Sequence, residues 1–268
     1  MVPREPELLS DLTDPRLSPF SGVVGRARDG LAVVEGAIPA MRACSSGLRV
    51  DTLVCTPSHV DRLRPQVPES TRWWCASKDV LSSLLGFSFH RGVLASVQVP
   101  GPAPIDSARL RTCEAPLVAV AVGFSDPANV GALLRAARAL GVDHVLLDAG
   151  AADPFARKAI RASAGHVFGV PLTLCDRVFE QTMALRDELD ADLLALTPGG
   201  GTSLRTVQGR RARIVAFGSE GPGLPERWLQ ASTARVRIPL AEDVDSLNVA
   251  SAAAVTFYAL DGARAVDC

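Results

Sequence analysis

A short apolar run that stops at a glycine-rich loop dominates the last quarter of the chain. Residues 214–217 read Ile-Val-Ala-Phe, and residues 218–225 read Gly-Ser-Glu-Gly-Pro-Gly-Leu-Pro. Apolar runs of this kind are typical of strands buried inside parallel sheets, whose carboxyl ends carry the ligand-binding loops. Residues 236–240 predict another strand, and Ser246 follows as the expected N-cap of an alanine-rich helix. The two strand-loop units predict one shared binding region.

Composition limits the possible partners. The 268 residues are 47% hydrophobic and 21% charged, as in an ordinary globular protein, and the formal net charge is -1. Indiscriminate coating of nucleic acid is therefore disfavoured. The net charge still permits a local face of arginines, since all basic residues except Lys78 and Lys158 are arginine. Arginine suits forked contacts to phosphate, but codon composition explains its prevalence equally well.

No targeting, membrane or metal signal is visible. The chain contains no apolar run long enough to cross a membrane, and its first residues have no apolar signal-peptide core. The six cysteines are scattered without paired metal-binding spacing, as expected for thiols in a reducing compartment. We therefore expect a cytoplasmic protein without metal or membrane partners.

A proline-rich segment at residues 100–104 separates two regions. We predict an N-terminal α/β domain over residues 1–105 and a second α/β domain over 106–268, because both alternate short strands with helices. In the first, Glu35-Gly36 and 89–92 lie at predicted strand edges, where a turn role is commoner than a ligand role. The Trp73-Trp74 pair offers base stacking, although one member of the pair is expected in the core.

The second region adds a third loop to the predicted binding site. Residues 197–201, Thr-Pro-Gly-Gly-Gly, follow a predicted strand at 193–196. Three loops after three strands are expected to meet at the carboxyl edge of one sheet. No dinucleotide fingerprint follows the first strand of this half, which disfavours a nicotinamide oxidoreductase.

Two helical segments carry further polar candidates. Asn129 and Arg135 are expected close to one face of a helix, although a cap and a solvated charge are the simpler roles. The stretch from Arg161 to His166 reads Arg-Ala-Ser-Ala-Gly-His, which suits either a phosphate-binding turn or a helix C-cap at Gly165. The cap is the favoured interpretation.

These motifs resemble those of the SpoU (TrmH-type) RNA 2′-O-ribose methyltransferases of the SPOUT superfamily. The resemblance covers residues 115–260 and follows the family's motif order. The matching positions are Asn129, Gly131, Arg135, Gly141, Gly218, Glu220, Gly221, Gly223, Ile238, Pro239 and Ser246 to Val249. Residues 34–36 and 89–94 are similar to the ribosomal-protein-like α/β substrate-binding domain that precedes many family members. Two positions depart from the family pattern: Ala250 stands where many members have serine, and Leu240 stands where methionine is frequent.

The resemblance implies a parallel sheet and a trefoil knot, which forms when the C-terminal segment of the chain threads through a loop. Such a knot is an exception to the usual absence of knots in proteins. It also implies S-adenosylmethionine bound at the knot and a homodimer whose active site uses both subunits. The implied cofactor-binding residues are Thr197, Gly199, Gly218, Ile238 and Leu247. The implied catalytic residues are Asn129, Arg135, Glu220, Ser246 and Asn248.

We therefore predict an S-adenosylmethionine-dependent RNA 2′-O-ribose methyltransferase that acts on ribosomal RNA rather than transfer RNA. Arg135 is expected to anchor a phosphate, because a guanidinium stays protonated in proteins and is a poor base. The alternative is a non-catalytic RNA-binding or ribosome-associated protein with the same fold. Arg135, Ser246 and Asn248 favour the enzyme, because a binding module needs no such constellation.

Overall fold

A computed structural model describes residues 5–9, 11–20, 30–101, 104–207 and 211–261. The chain forms two compact units. The N-terminal unit comprises Met1–Gly101 with Asp153–Gly169, and the C-terminal unit comprises Pro102–Ala152 with Val170–Cys268. The sequence pattern had assigned Asp153–Gly169 to the second domain, but the segment packs within the N-terminal unit.

The described part of the N-terminal unit is built around a mixed sheet with the order β1-β4-β3-β5-β2. Strands β1, β4 and β3 are parallel, and β5 runs antiparallel to both β3 and β2. The strands are β1 (Glu7–Leu8), β2 (Leu31–Glu35), β3 (Val50–Cys55), β4 (Arg72–Cys75) and β5 (Val93–Gln98). The helices are α1 (Ala37–Cys44), α2 (Val60–Leu63), α3 (Lys78–Leu85) and α6 (Arg157–Ala162), the last of which comes from the segment Asp153–Gly169.

Both tryptophans of β4 belong to the core of this unit. Trp73 and Trp74 are 3% and 2% exposed. The indole of Trp73 donates to the Cys55 sulfur at 3.4 Å, and that of Trp74 donates to Glu7 Oε2 at 3.4 Å. The suggestion that this pair stacks on bases is therefore wrong, because neither ring face is accessible.

The end of α6 is a glycine cap that fits against α1. Gly165 has a φ of 83° and its amide donates to the Ile160 carbonyl at 2.8 Å. A Cβ at Gly165 would lie 2.7 Å from Pro39 Cα, so the close approach requires glycine. The Ser163 hydroxyl is buried and donates to the Ile160 carbonyl at 3.0 Å. The favoured cap interpretation of this turn agrees with these contacts.

The C-terminal unit contains a parallel sheet with the order β10-β12-β9-β11-β6-β7-β8, which confirms the predicted α/β class. Its strands are β6 (Leu117–Ala121), β7 (His144–Asp148), β8 (Leu172–Cys175), β9 (Asp192–Leu196), β10 (Thr202–Ser203), β11 (Arg213–Phe217) and β12 (Ala234–Arg237). Its helices are α4 (Ser107–Thr112), α5 (Pro127–Ala139), α7 (Val178–Leu189), α8 (Glu226–Ala231) and α9 (Val249–Asp261).

Helices cover both faces of this sheet, which explains the continuous apolar run in β11. Ile214 belongs to a core cluster with Leu185 of α7 and Trp228 of α8. Phe217 lies three residues after Ile214, so its side chain points to the opposite face of the sheet. There it packs edge to face against Phe257 of α9, with ring centroids 5.5 Å apart. Within the described residues, none of the helices is both long and apolar enough to span a membrane.

A buried histidine lies at the start of β7. His144 is 5% exposed, and its Nε2 lies 3.0 Å from the Thr173 hydroxyl of β8. The pKa of His144 is lowered to about 4, mainly by burial; the nearby charge of Arg109 also acts to lower it, and Asp106 acts to raise it. The folded state therefore favours the neutral imidazole.

This histidine predicts a loss of stability in mild acid. The folded pKa of His144 lies below the ordinary value of about 6.5. As the pH falls from 6.5 towards 4, the imidazole is therefore protonated in the unfolded chain before it is protonated in the folded chain. The free energy of unfolding should fall by up to about 3 kcal/mol across this window. Urea unfolding at pH 7 and 4.5 measures the loss.

A substitution separates His144 from the carboxylates that also titrate there. His144→Gln should remove most of this pH-dependent difference, because glutamine carries no titratable group. Equal pH dependence in His144→Gln and the unsubstituted protein would contradict the assignment.

Candidate active site

Three loops of the C-terminal unit surround one cavity at the carboxyl edge of its sheet. Strands β12, β9 and β11 are adjacent and parallel, so the loops that follow them leave the sheet on the same side. The cavity has a volume of about 550 Å³, within the range of small-molecule sites. It is lined by Leu196, Thr197, Pro198, Phe217, Gly218, Ser219, Glu220, Gly221, Gly223, Ile238, Leu240, Asp245, Ser246, Leu247, Asn248, Val249 and Ala252.

The loop after β11 folds back on itself at Gly218. A Cβ at this position would lie 2.2 Å from the Gly223 carbonyl carbon and 2.3 Å from the Leu224 amide nitrogen. The Gly223 amide donates to the Ser219 carbonyl at 3.1 Å and closes the turn. Gly223 itself has a φ of 70°, which favours glycine. The glycines thus allow main chain, rather than side chains, to form this wall of the cavity.

A hydrogen-bonded triangle joins three elements that are far apart in the sequence. Asn129 of α5 donates from Nδ2 to Glu220 Oε1 at 3.0 Å. Asn248, which directly precedes α9, donates from Nδ2 to the same carboxylate oxygen at 2.9 Å and to Asn129 Oδ1 at 3.0 Å. Glu220 and Asn248 also line the cavity, so the triangle fixes part of its wall.

Asn248 has a second role as the N-cap of α9. Its Oδ1 accepts from the Ala250 amide at 3.0 Å and from the Ser251 amide at 3.4 Å. The prediction that Ser246 caps this helix is therefore wrong, because the helix begins at Val249 and only Asn248 stands one residue before it. Ser246 instead lines the cavity. Capping and the triangle together determine which end of the Asn248 amide is oxygen.

Most of the predicted site residues meet at the cavity. The lining includes Thr197, Gly218, Ile238 and Leu247 from the predicted cofactor set, and Glu220, Ser246 and Asn248 from the predicted catalytic set. Asn129 does not line the cavity but forms hydrogen bonds with Glu220 and Asn248, which do. Gly199 does not line the cavity, but its carbonyl accepts from the Thr197 hydroxyl at 3.0 Å.

Arg135 is a predicted catalytic residue that does not line the cavity of its own chain. It is exposed on α5, and in the described part of the chain it forms no ion pair or side-chain hydrogen bond. The expectation that it shares a face with Asn129 is wrong: six residues rotate by about 600°, which leaves the two side chains roughly 120° apart.

The apolar walls of the cavity and one acidic group were not predicted from the sequence. Leu196 and Phe217 are the last residues of β9 and β11, and Ala252 lies one turn into α9. Their positions directly before or after the predicted loops were the available signal. Asp245 adds a second carboxylate to that of Glu220. Apolar walls with two carboxylates suit a ligand that carries both apolar surface and positive charge.

Comparisons with known proteins identify the family and support the fold. A profile of the SpoU rRNA Methylase family matches residues 116–258. An uncharacterized tRNA/rRNA methyltransferase of Mycobacterium tuberculosis is 35% identical over 261 residues, which cover 92% of this chain and 89% of that protein. A crystal structure of an RNA 2′-O ribose methyltransferase has a TM-score of 0.78 at 28% identity and covers 95% of this chain and 98% of its own.

The fold also matches AviRb, a SpoU methyltransferase of Streptomyces viridochromogenes crystallised with the cofactor AdoMet. The TM-score is 0.78 at 24% identity, over 94% of this chain and 99% of that one. The matched family region, residues 116–258, includes all three loops around the cavity and the whole triangle. This chain therefore belongs to the SpoU rRNA methylase family.

Proposed function

We propose that this RNA methyltransferase transfers a methyl group to a ribose 2′-hydroxyl, with ribosomal RNA as its substrate. Members of the SpoU family use S-adenosylmethionine, and AviRb was crystallised with it. The structural relative at 28% identity is an RNA 2′-O ribose methyltransferase, which supports the ribose as the acceptor. The observation that carries the proposal is the triangle of Asn129, Glu220 and Asn248, two members of which line the loop cavity.

The residues around the cavity fit S-adenosylmethionine. The tight turn at Gly218 leaves main-chain groups along one wall, which suits hydrogen bonding to an adenine or an amino-acid moiety. Leu196, Phe217 and Ile238 supply apolar surface, and Glu220 with Asp245 supplies negative charge that complements a sulfonium. When bound, the cofactor supplies an electrophilic methyl group, and the chain must align the acceptor and accept or relay its proton.

The triangle provides rigidity for that alignment. The Asn248 amide donates to two partners while its oxygen caps α9, so the loop after β11 and the starts of α5 and α9 are held together. Small misplacements of reacting groups cost large factors in rate, so this connection matters for catalysis. The Ser246 hydroxyl at the cavity is then a group that can orient the ribose.

Arg135 enters the site from a second copy of the chain in this proposal. Its exposure, and its lack of ion pairs or hydrogen bonds to other described residues, leave its guanidinium available for an RNA phosphate. Helix α9 packs on α5 and exposes Val255 and Tyr258, 43% and 74% exposed, as apolar surface that a homodimer would cover. Anchoring the phosphate stabilises the alkoxide, while the phosphate or a water takes the proton. A trefoil knot in the C-terminal segment remains part of the proposal.

The experiment that tests the function is a map of 2′-O-methyl sites in total RNA from cells with and without the gene. One ribosomal position is expected to lose its methyl group without the gene and to regain it with the purified protein and S-adenosylmethionine. Cofactor binding without methylation of any RNA would favour the non-catalytic alternative. Methylation of a base would contradict the ribose as acceptor.

Arg135→Ala is expected to lower single-turnover methyl transfer by about a hundredfold, because one preorganised charge contact is lost at the reacting centre. Cofactor affinity should be unchanged, since in this proposal Arg135 contacts the RNA phosphate and not the cofactor. The measurement is methyl incorporation at saturating RNA. Unchanged rates with normal RNA binding would contradict the role of Arg135.

Mixing two inactive variants tests the shared site. In a dimer of Arg135→Ala with Glu220→Ala, one of the two sites combines an intact cavity with an intact arginine. Random exchange should restore about a quarter of the activity in a symmetric dimer. Mixtures that stay as inactive as their components would overturn the contribution of a second copy.

A further inference from the structure

The N-terminal unit carries arginines arranged around one carboxylate, and we call Glu35, Phe87, Arg91, Arg157 and Arg161 the arginine cluster. The side chain of Glu35, at the end of β2, is only 12% exposed. One of its carboxylate oxygens forms an ion pair with Arg157 of α6, and the other lies 4.0 Å from Arg91 Nε. The carboxylate therefore holds two guanidinium groups in defined positions.

Arg161 adds a third cation to the same surface. It lies four residues after Arg157 on α6, so the two side chains are neighbours on one helix face. Burial lowers the pKa of Arg157, and the charge of Arg161 lowers that pKa further. Arg161 is exposed and has no ion pair or hydrogen bond through its guanidinium to the residues that the structure describes. Three guanidinium groups and one carboxylate leave these residues with a net charge of about +2.

An exposed aromatic ring completes the cluster. Phe87 is 45% exposed, an unusual position for a large apolar side chain. The guanidinium carbon of Arg157 lies 5.6 Å from the centroid of the Phe87 ring, which is a cation-π distance. The ring is therefore held by a side chain that Glu35 itself holds in place.

We propose that the arginine cluster binds a single-stranded segment of the RNA substrate, with Arg91 and Arg161 contacting phosphates and Phe87 stacking on a base. The inference rests on the proposed function and adds to it a substrate-binding surface outside the cavity. Guanidinium groups bind phosphate through paired hydrogen bonds, and aromatic rings beside cations accept unstacked bases. An acidic protein segment would use the charges but offers no base for the ring.

The test is binding of a fluorescent oligouridine to the full chain, followed by anisotropy at several salt concentrations. Arg161→Ala should weaken binding about threefold to tenfold and reduce the salt slope by about 0.7, the value for one phosphate contact on a single strand. Phe87→Ala should weaken binding about tenfold while leaving the salt slope unchanged, because stacking releases no counterion.

Arg49→Ala is the matched control. Arg49 is an exposed arginine of the same unit, and its carbonyl accepts a hydrogen bond from the Gln98 amide at the end of β5. Glu35 lies opposite Leu94, near the start of β5, so Arg49 and Glu35 are at opposite ends of this strand. It should bind oligouridine like the unsubstituted protein. Thermal unfolding of each variant checks that the fold is retained.

Unchanged RNA affinity in both Arg161→Ala and Phe87→Ala, or equal weakening in Arg49→Ala, would overturn the proposal. Labelled polyglutamate that binds the cluster in place of oligouridine would also overturn it, in favour of an acidic protein partner. Failure of the cluster can be distinguished from failure of the proposed function. Loss of RNA binding in the variants supports RNA binding by the arginine cluster even if no ribose is methylated. Ribose methylation with an unchanged KM for RNA in both variants rejects RNA binding by the cluster and leaves the proposed function intact.

Discussion

Gly218→Ala is expected to weaken S-adenosylmethionine binding by about tenfold to a hundredfold. The added Cβ would lie 2.2 Å from the Gly223 carbonyl carbon and 2.3 Å from the Leu224 nitrogen, which are main-chain atoms that no rotamer change can move. Overpacking of this kind costs about 1–3 kcal/mol, and each 1.4 kcal/mol corresponds to a factor of ten in affinity. Displacement of the loop after β11 would move the wall of the cavity. Calorimetric titration with the cofactor measures the change.

Gly199→Ala is the matched control for this substitution. Gly199 belongs to the neighbouring loop, after β9, and a Cβ there would meet no heavy atom within 4 Å. Its cofactor affinity should therefore stay within about twofold of the unsubstituted value, well below the cost of a steric clash. If both glycine variants weaken binding equally, general loop flexibility rather than the close approach at Gly218 is responsible.

The regular elements were largely predictable because local patterns determine them. The strands predicted over residues 193–196 and 214–217 lie within β9 and β11. The strand predicted over 236–240 is instead β12, Ala234–Arg237, because Pro239 has no amide to donate to a neighbouring strand. The meeting of three loops at one edge followed from the parallel arrangement of their strands.

Features that depend on tertiary contacts were not predictable from local patterns. The periodicity of residues 154–164 indicates a helix, but the docking of α6 in the N-terminal unit depends on the ion pair with Glu35 and the close approach of Gly165 to Pro39. The cap of α9 illustrates the same limit. Ser246 and Asn248 are both good N-caps, and only the observed helix start selects Asn248.

The triangle explains why residues separated by more than 100 positions act as one structural feature. Asn129 and Asn248 are 119 residues apart, yet they share the same carboxylate oxygen of Glu220 as acceptor. Helices α5 and α9, which carry or follow these asparagines, pack against each other on one face of the sheet. The sheet therefore places the residues, and the hydrogen bonds fix their orientation.

Two substitutions at Asn248 separate its capping role from its role in the triangle. Asn248→Ala removes both, and we expect the free energy of unfolding to fall by about 1–2 kcal/mol, mostly from the lost cap. Asn248→Asp keeps an oxygen for the Ala250 and Ser251 amides, and its charge is favourable at a helix N-terminus. Its stability should stay within about 1 kcal/mol of the original, a small change by the standard of helix caps. Chemical unfolding measures both values.

Methyl transfer should respond differently from stability. Asn248→Asp cannot donate to Glu220 Oε1 or Asn129 Oδ1, and it places a second carboxylate where the amide stood 2.9 Å from Glu220. The repulsion opens the triangle, so both variants should lose about a hundredfold in single-turnover rate. A stable Asn248→Asp variant with full activity would show that the cap alone matters and that the amide donors are dispensable. A stable but inactive variant would place the function of Asn248 in the triangle.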